Sequence, residues 1–348
     1  MPKIRGDISH DKGQSAKMDQ ASERPLITFV LVAYNHEKYV KQAIESALSQ
    51  TYRPIQFIFS DDCSSDCTFD LMREAVEQYE GKENILLNRN DQNLGVVDHL
   101  NKIFIELAEG KYFIQLGGDD IATPDRTEKV VDCFASTGAS MVAINPILID
   151  EEGVVSGNRF IRSFPSGLLK FEDLFVNGAP FFGGDIDKEL FDIYGPMKNS
   201  ARNEDRILPF RASTLGGVAY LSDLVYYYRE HGKNMSFWVK MKQDPMNHFR
   251  YLIAFKKNEL QNIANFMQEV KDSYPGEHKE EMLKQIDKKY YRGCFDLAIF
   301  ESGFSPQLSL VPAVFRIEKK PKEIIRLLLI CMSPRIYQLL LTARKAFR

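Results

Sequence analysis

A chain of 348 residues, 44% apolar and 27% charged, has the ordinary composition of a soluble globular protein and length enough for one large domain with an appendage. Five cysteines, an odd number, argue against a disulfide framework and fit a reducing compartment; Cys63 and Cys67 have no second Cys/His pair to complete a zinc site. The net charge of −3 conceals a basic tail, since residues 311–348 hold nine Lys/Arg against two Glu (+7, leaving −10 elsewhere), which points to an anionic membrane surface ahead of nucleic acid.

Residues 1–24 are polar without an apolar stretch and read as a loose extension, neither signal peptide nor anchor. Leu26–Ala33 is continuously apolar and β-branched, the pattern of a parallel strand covered on both faces. Val40, Ala43, Ile44, Ala47 and Leu48 follow at helical spacing. Ile55–Phe59 predicts a second buried strand running into Asp61-Asp62-Cys63-Ser64-Ser65-Asp66, where Ser65 or Asp66 is placed to cap the next helix. Leu71, Ala75 and Tyr79 mark that helix's inner side. Ile85–Leu87 predicts a third strand, Val97 to Ala108 a third helical stripe, and Tyr112–Leu116 a fourth strand that ends in Gly117-Gly118-Asp119-Asp120. Thr123-Pro124-Asp125 predicts a helix start capped by the Thr123 hydroxyl, with Val130, Val131 and Phe134 inward. Met141–Ile149 predicts one further strand.

Residues 155–235 are less periodic and rich in Gly, Phe and Tyr, as suits a mixed layer closing a site; residues 240–300 predict helix. From Ile324 an apolar stripe (Leu327, Leu328, Cys331, then Ile336, Leu339, Leu340, Ala343 and Phe347 past Pro334) is flanked by Arg326, Arg335, Arg344, Lys345 and Arg348. Two readings fit it: a helix lying in the membrane plane, or one docked on the rest of the protein. No apolar run reaches the roughly 18 residues of a spanning helix, so a cytoplasmic location is expected.

The β-α-β-α alternation over residues 25–150 predicts an α/β fold, a doubly wound and mostly parallel sheet with ligands bound beyond the carboxyl ends of its strands. Tyr34, Asp61/Asp62 and Asp119/Asp120 all fall there. Two adjacent carboxylates at the end of a buried strand repel each other unless a positive group lies beside them, and a divalent cation carrying a diphosphate meets that need. Each residue also has a plainer reading. Tyr34 fits a core tyrosine, Asp119-Asp120 a solvated turn, and Glu204-Asp205 an acid pair favourable to a helix N-terminus.

In order and spacing, Val32-Ala33-Tyr34-Asn35, Ser46–Tyr52, Ser60–Asp66, Asn93-Leu94-Gly95, Gly118-Asp119-Asp120 with Pro124-Asp125-Arg126, Asn203-Glu204-Asp205-Arg206 and Tyr228–Gly232 resemble the family-two glycosyltransferases of the GT-A fold, from about Leu26 to Ser236. The resemblance implies a GT-A domain over residues 25–236, with 25–150 binding nucleotide and 151–236 the acceptor, followed by a helical region 237–348. It implies that Ala33, Tyr34, Asn35, Asp61, Asp62, Gly118, Asp119, Asp120 and Arg229 hold the nucleotide sugar. Tyr34 would stack on the base, Asp62 would accept a base N–H, and Arg229 would clamp phosphate. Asp119 and Asp120 would share the ribose and a Mn2+ or Mg2+ ion, with Asp120 the direct ligand and His231 a further one. Family members often carry a third acid two positions before this pair, where this chain has Gly117.

The resemblance further implies Asp205 as the base for the acceptor hydroxyl, with Glu204 its acidic neighbour; an inverting transfer needs one such carboxylate where a hydrolase needs two. Phe181–Asp185 would line the acceptor side. The implied activity moves a sugar from a UDP- or dTDP-sugar to a glycan or lipid-linked acceptor, in bacterial surface polysaccharide synthesis, peripherally on the inner face of the membrane and without nucleic acid. A sugar nucleotidyltransferase would need a Gly-rich phosphate loop that Ala33-Tyr34-Asn35-His36 lacks. A non-catalytic nucleotide-sugar-binding scaffold would have no use for Glu204-Asp205.

Overall fold

Strand β1 (Ile27–Ala33) is apolar because it runs through the middle of a sheet covered on both faces; all its residues but Val32 are buried. It pairs in parallel with β2 (Ile55–Asp61) and β4 (Tyr112–Gly117), and β3 (Ile85–Arg89) extends the sheet in parallel beyond β2. The computed structural model describes residues 24–81, 84–159, 167–176, 184–198, 204–232 and 248–301, with 312, 324, 325, 327, 328 and 330. The expectations placed on residues 1–23, on Phe181–Gly183, on Asn203 and on most of the basic tail lie outside these.

Two helical layers cover the sheet. Phe29, Leu31 and Ala33 face α1 (Val40–Leu48), α2 (Thr68–Glu77) and α4 (Arg126–Thr137). Val30 and Ile58 face the opposite layer: α3 (Val96–Lys102) with its π-helical continuation Ile103–Leu107, α5 (Glu189–Tyr194) and α6 (Glu204–Thr214). A long hairpin of α7 (His248–Ser273) and α8 (Lys279–Glu301) packs on α6. Ile263, Phe266 and Val270, at helical spacing on α7, are buried, and the Phe266 ring stacks on Phe210 at 3.9 Å. The same interface buries an ion pair, Arg211 to Glu269 at 2.7 Å.

The sheet's other half departs from a purely parallel pattern. Its full order is β10-β6-β9-β4-β1-β2-β3, with β6 (Met141–Ile144), β9 (Gly184–Asp187) and β10 (Val218–Leu221). β9 runs antiparallel between β4 and β6, so the sheet is mixed though mostly parallel. Gly184 permits this insertion, since a Cβ there would lie 2.2 Å from the Val142 carbonyl oxygen.

The single strand expected over Met141–Ile149 is two strands in two sheets. Pro146 has no N–H to offer a ladder, and the chain leaves the main sheet after Ile144 to join a second one as β7 (Ile147–Ile149). That four-stranded sheet has the order β5-β11-β7-β8, built from β5 (Ile121–Ala122), β11 (Tyr226–Arg229) and β8 (Val155–Arg159). It carries the end of β11 to the main strand edge. A second correction concerns α4, which begins at Arg126 with no side-chain cap: the Thr123 hydroxyl bonds the Asp125 carboxylate instead, at 2.6 Å. Asp66 does serve at the start of α2, accepting the Thr68 N–H at 2.9 Å.

Candidate active site

The ends of β1 and β4 meet at Gly118, where a side chain would not fit: a Cβ would fall 2.8 Å from Ala33 Cβ and 2.9 Å from His36 Nδ1. Past Ala33 the chain turns through Asn35 at φ 57°, a conformation that asparagine tolerates better than most residues. Asn35 knots the loop after β1 to the loop after β2: its N–H donates to Ser64 Oγ at 2.8 Å and its Oδ1 accepts the Ser65 N–H at 2.9 Å. Asp61 is fully buried and accepts from the Ser64 N–H and hydroxyl. Asp62 accepts from Asn90 Nδ2 at 2.8 Å and from the N–H groups of Leu94 and Gly95, both at 2.9 Å. Both acids thus hold the loops in the structure described, and Tyr34, 41% exposed, is the open ring at this edge.

The neighbouring acids at the end of β4 differ in environment. Asp120 is buried: its carboxylate accepts the Tyr226 hydroxyl and, at 2.8 Å, the Arg229 N–H. Burial, then the charge of Asp119, push its carboxyl well above the usual range. Asp119 Oδ2 stands 3.0 Å from His231 Nε2 and 3.6 Å from His36 Nε2. Burial opposes its ionisation, yet the hydrogen bond from His231 and the fields of His36 and His231 together outweigh it and hold this carboxyl below its ordinary range. The strand-end pair is therefore one ionised acid turned to two imidazoles and one inward acid tied to β11.

Arg229, expected to clamp phosphate, is 2% exposed and works as a staple. Its Nε donates to the Asp119 carbonyl at 2.9 Å, its Nη1 to the carbonyls of Asp150 and Glu151, and its Nη2 to Gln42 Oε1 at 2.6 Å. Its guanidinium also lies over the Tyr39 ring. The residue joins β11, α1 and the β7–β8 turn. It also lines a cavity of about 360 Å³ together with Lys38, Tyr39, Gln42, Glu151 and Glu152.

Glu204 and Asp205 open α6, with Asp205 exposed and Glu204 half-buried. Burial and the adjacent Asp205 charge push the Glu204 carboxyl up to about 8. Tyr228 lies on β11. Burial raises its phenol, and the further causes are the charges of Asp120, Asp119 and Asp205, so the α6 acid and the strand-end acids act on one tyrosine.

The Glu204 shift carries a pH dependence. The folded state holds this proton more tightly than the unfolded chain, so stability falls as pH rises from about 4.5 to about 8 and is flat above. Glu204→Gln has no proton to lose. Its stability advantage over the parent is expected to grow across that window, reaching on the order of 3–5 kcal/mol, and thermal melts from pH 5 to pH 9, read as a widening Tm difference, check it. A constant difference between the two proteins would contradict the assignment.

Three features escaped the sequence reading. Tyr226, hydrogen-bonded to Asp120, is one of three consecutive tyrosines whose roles no motif separates. Arg126 bonds Asp185 at 2.8 Å in a buried pair and lies over the Tyr226 ring, while its Nε and Nη1 find no partner among the described residues. His36, which no motif singles out, faces Asp119 Oδ2 at 3.6 Å.

Residues 28–183 match the sequence profile of glycosyl transferase family 2. An uncharacterized glycosyltransferase of Haemophilus influenzae is 26% identical over 268 residues, covering 71% of this chain and 76% of that protein. This chain carries a family-two glycosyltransferase domain over residues 28–183. Another relative is the putative teichuronic acid biosynthesis glycosyltransferase TuaG of Bacillus subtilis, 30% identical over 136 residues, which span 37% of this glycosyltransferase and 52% of TuaG. Among solved structures, TarS of S. aureus in complex with UDP-GlcNAc superposes with a TM-score of 0.54 at 15% identity, covering 79% of this chain and 81% of that one. The mannosyltransferase PcManGT of Pyrobaculum calidifontis, in complex with GDP-Man and Mn2+, gives 0.54 at 14% identity over 94% and 82%. These likenesses establish the GT-A fold of the glycosyltransferase.

Whether its site suits a divalent cation can be tested on the donor set. Mg2+ and Mn2+ sites take one or two protein ligands and leave the remaining positions to phosphate and water. Adjacent ligands of an octahedral ion at 2.0–2.1 Å lie about 3 Å apart, and Asp119 Oδ2 and His231 Nε2 are separated by 3.0 Å. Among the described residues no cluster of three or more His, Cys, Asp or Glu side chains is arranged to hold a metal by itself. The pair therefore fits a cation completed by a diphosphate, and does not fit a stand-alone metal centre.

Proposed function

We propose that this glycosyltransferase transfers a sugar with inversion from a nucleoside-diphosphate sugar, with Asp119 and His231 holding a divalent cation and Asp205 acting as the base. The observation that carries the reading is the pairing of Asp119 Oδ2 with His231 Nε2 at 3.0 Å at the end of β4, beside the buried Asp120. When bound, the cation supplies charge neutralisation for the departing diphosphate. Asp205 takes the proton of the acceptor hydroxyl, whose oxygen bonds to the anomeric carbon as the carbon–phosphate oxygen bond breaks on the opposite face. The electron pair leaves with the nucleoside diphosphate. Glu204, holding its own proton near neutral pH, leaves the negative charge of the pair to Asp205.

In this reading Asp120 is the support and Asp119 the ligand, the reverse of the expectation from the resemblance, because Tyr226 and the Arg229 N–H already engage Asp120. Tyr34 stacks on the base. The complexes of TarS with UDP-GlcNAc and of PcManGT with GDP-Man and Mn2+ support a nucleotide sugar and a divalent ion, and TuaG supports a bacterial polysaccharide product. Among the described residues no helix is long and apolar enough to cross a membrane. Leu327 and Ile330 are buried, which favours the docked reading of the C-terminal segment over one lying in lipid.

Thermal melts with UDP, dTDP and GDP, each with Mn2+ or with EDTA, test the proposal. One nucleotide is expected to stabilise by about 2.7 kcal/mol at a hundred times its Kd, and only with the metal present. No shift with any nucleotide would contradict the donor class, and an equal shift in EDTA would contradict the cation.

A further inference from the structure

His36 lies against the candidate cation site, and among the described residues no hydrogen bond accounts for its ring. Its backbone is fixed: the N–H donates to Thr68 Oγ1 at 2.7 Å, and the carbonyl accepts the N–H groups of Tyr39 and Val40. Gly118 packs against the ring so closely that a Cβ would sit 2.9 Å from Nδ1. Nδ1 is buried and without a partner among the described residues. Nε2 faces Asp119 Oδ2 at 3.6 Å, just past hydrogen-bond length, with His231 Nε2 on the same oxygen at 3.0 Å.

These facts fix where the ring's proton sits. A neutral imidazole carries one N–H and one bare nitrogen. Buried N–H groups without partners are rarer than unsatisfied acceptors, so the buried Nδ1 is the bare one and Nε2 carries the hydrogen. A bare Nε2 lone pair aimed at a carboxylate would also be repulsive. Nor is His36 a metal ligand, because a ligating histidine almost always donates its other ring N–H to a partner, and Nδ1 has none.

We propose that His36 is a positioning residue whose Nε2–H, facing the Asp119 carboxylate, orients that carboxylate toward the cation and donates to the anionic oxygens of the donor's diphosphate. The inference rests on the cation site proposed above and goes beyond it by giving Asp119 a second imidazole of a different kind. His231 meets the ion, and His36 orients the carboxylate that meets it. Such outer partners typically matter 10–100-fold in metal affinity.

The test is calorimetric titration of the full-length protein with the Mn2+–pyrophosphate complex, with Tm recorded for every variant. Asp119→Asn is the control for the site, and its loss of binding is expected. His36→Leu is expected to weaken binding about 10–100-fold. His36→Gln, whose amide nitrogen reaches the place of Nε2, is expected to restore affinity to within about threefold of the parent, while His36→Asn, whose amide nitrogen falls at Nδ1, does not. The Gln and Asn comparison stands even if the Leu variant does not fold. Parental affinity in His36→Leu, or a Gln variant no better than Asn, overturns the role of His36. Parental affinity in Asp119→Asn overturns the cation site itself.

Discussion

Replacing Asp205 with Asn is expected to slow sugar transfer by roughly 100- to 10,000-fold while nucleotide affinity stays within about twofold. The amide keeps the shape of the exposed side chain at the start of α6 but cannot take a proton from an acceptor hydroxyl. The donor contacts proposed here, Tyr34 after β1, Asp119 after β4 and His231 after β11, lie on elements other than α6. Single-turnover rates with the donor found by thermal shift, paired with nucleotide titration, separate the two quantities. Loss of nucleotide binding in step with rate would make Asp205 a donor contact; an unchanged rate would place the base elsewhere. Glu204→Gln is expected to act less on rate, because the parent side chain already holds its proton near neutral pH.

The second large effect is on stability. Glu269→Ala is expected to cost about 3–5 kcal/mol, because it leaves the Arg211 charge buried without its partner. Arg211 has no exposed side-chain surface and Glu269 retains 5%; the Nη2–Oε1 distance is 2.7 Å, and Arg211 also donates to the Gly195 and Pro196 carbonyls. This pair fastens α7 to the helix that presents Asp205, so activity is expected to fall before global unfolding as temperature rises. Replacing both partners with Met is expected to recover most of the loss, since an apolar pair removes both desolvation penalties. Urea titrations of the single and double variants check this. A single-variant loss under about 1 kcal/mol, the worth of an exposed pair, would show that the interface does not depend on it.

The parts of this molecule legible in its sequence are those set by local chemistry. The continuous apolar runs of β1, β2 and β4 and the helical stripes between them require a parallel sheet with two helical layers. The acids that follow those runs fall at the strand ends by chain order alone. What stayed hidden depends on partners distant in sequence. Asp119 and Asp120 are adjacent and alike on paper, and their division of labour is set by Tyr226 and Arg229, more than a hundred residues on. Arg229 reads as a phosphate clamp until Gln42 and three backbone carbonyls are seen to surround it. The switch of sheets at Asn145-Pro146 was marked by the proline, whose missing N–H is incompatible with one strand through Met141–Ile149. The antiparallel β9 has only four residues, too few to show a period.

In the proposed site Asp119 together with His231, and not Asp120, meets the ion that draws the diphosphate into place. Anomalous scattering from crystals grown with Mn2+ and the stabilising nucleoside diphosphate locates that ion directly. The account expects one peak about 2.0–2.3 Å from an Asp119 oxygen and from His231 Nε2, with Asp120 still bonded to Tyr226. A peak coordinated by Asp120, or bound nucleotide with no metal at all, would contradict it.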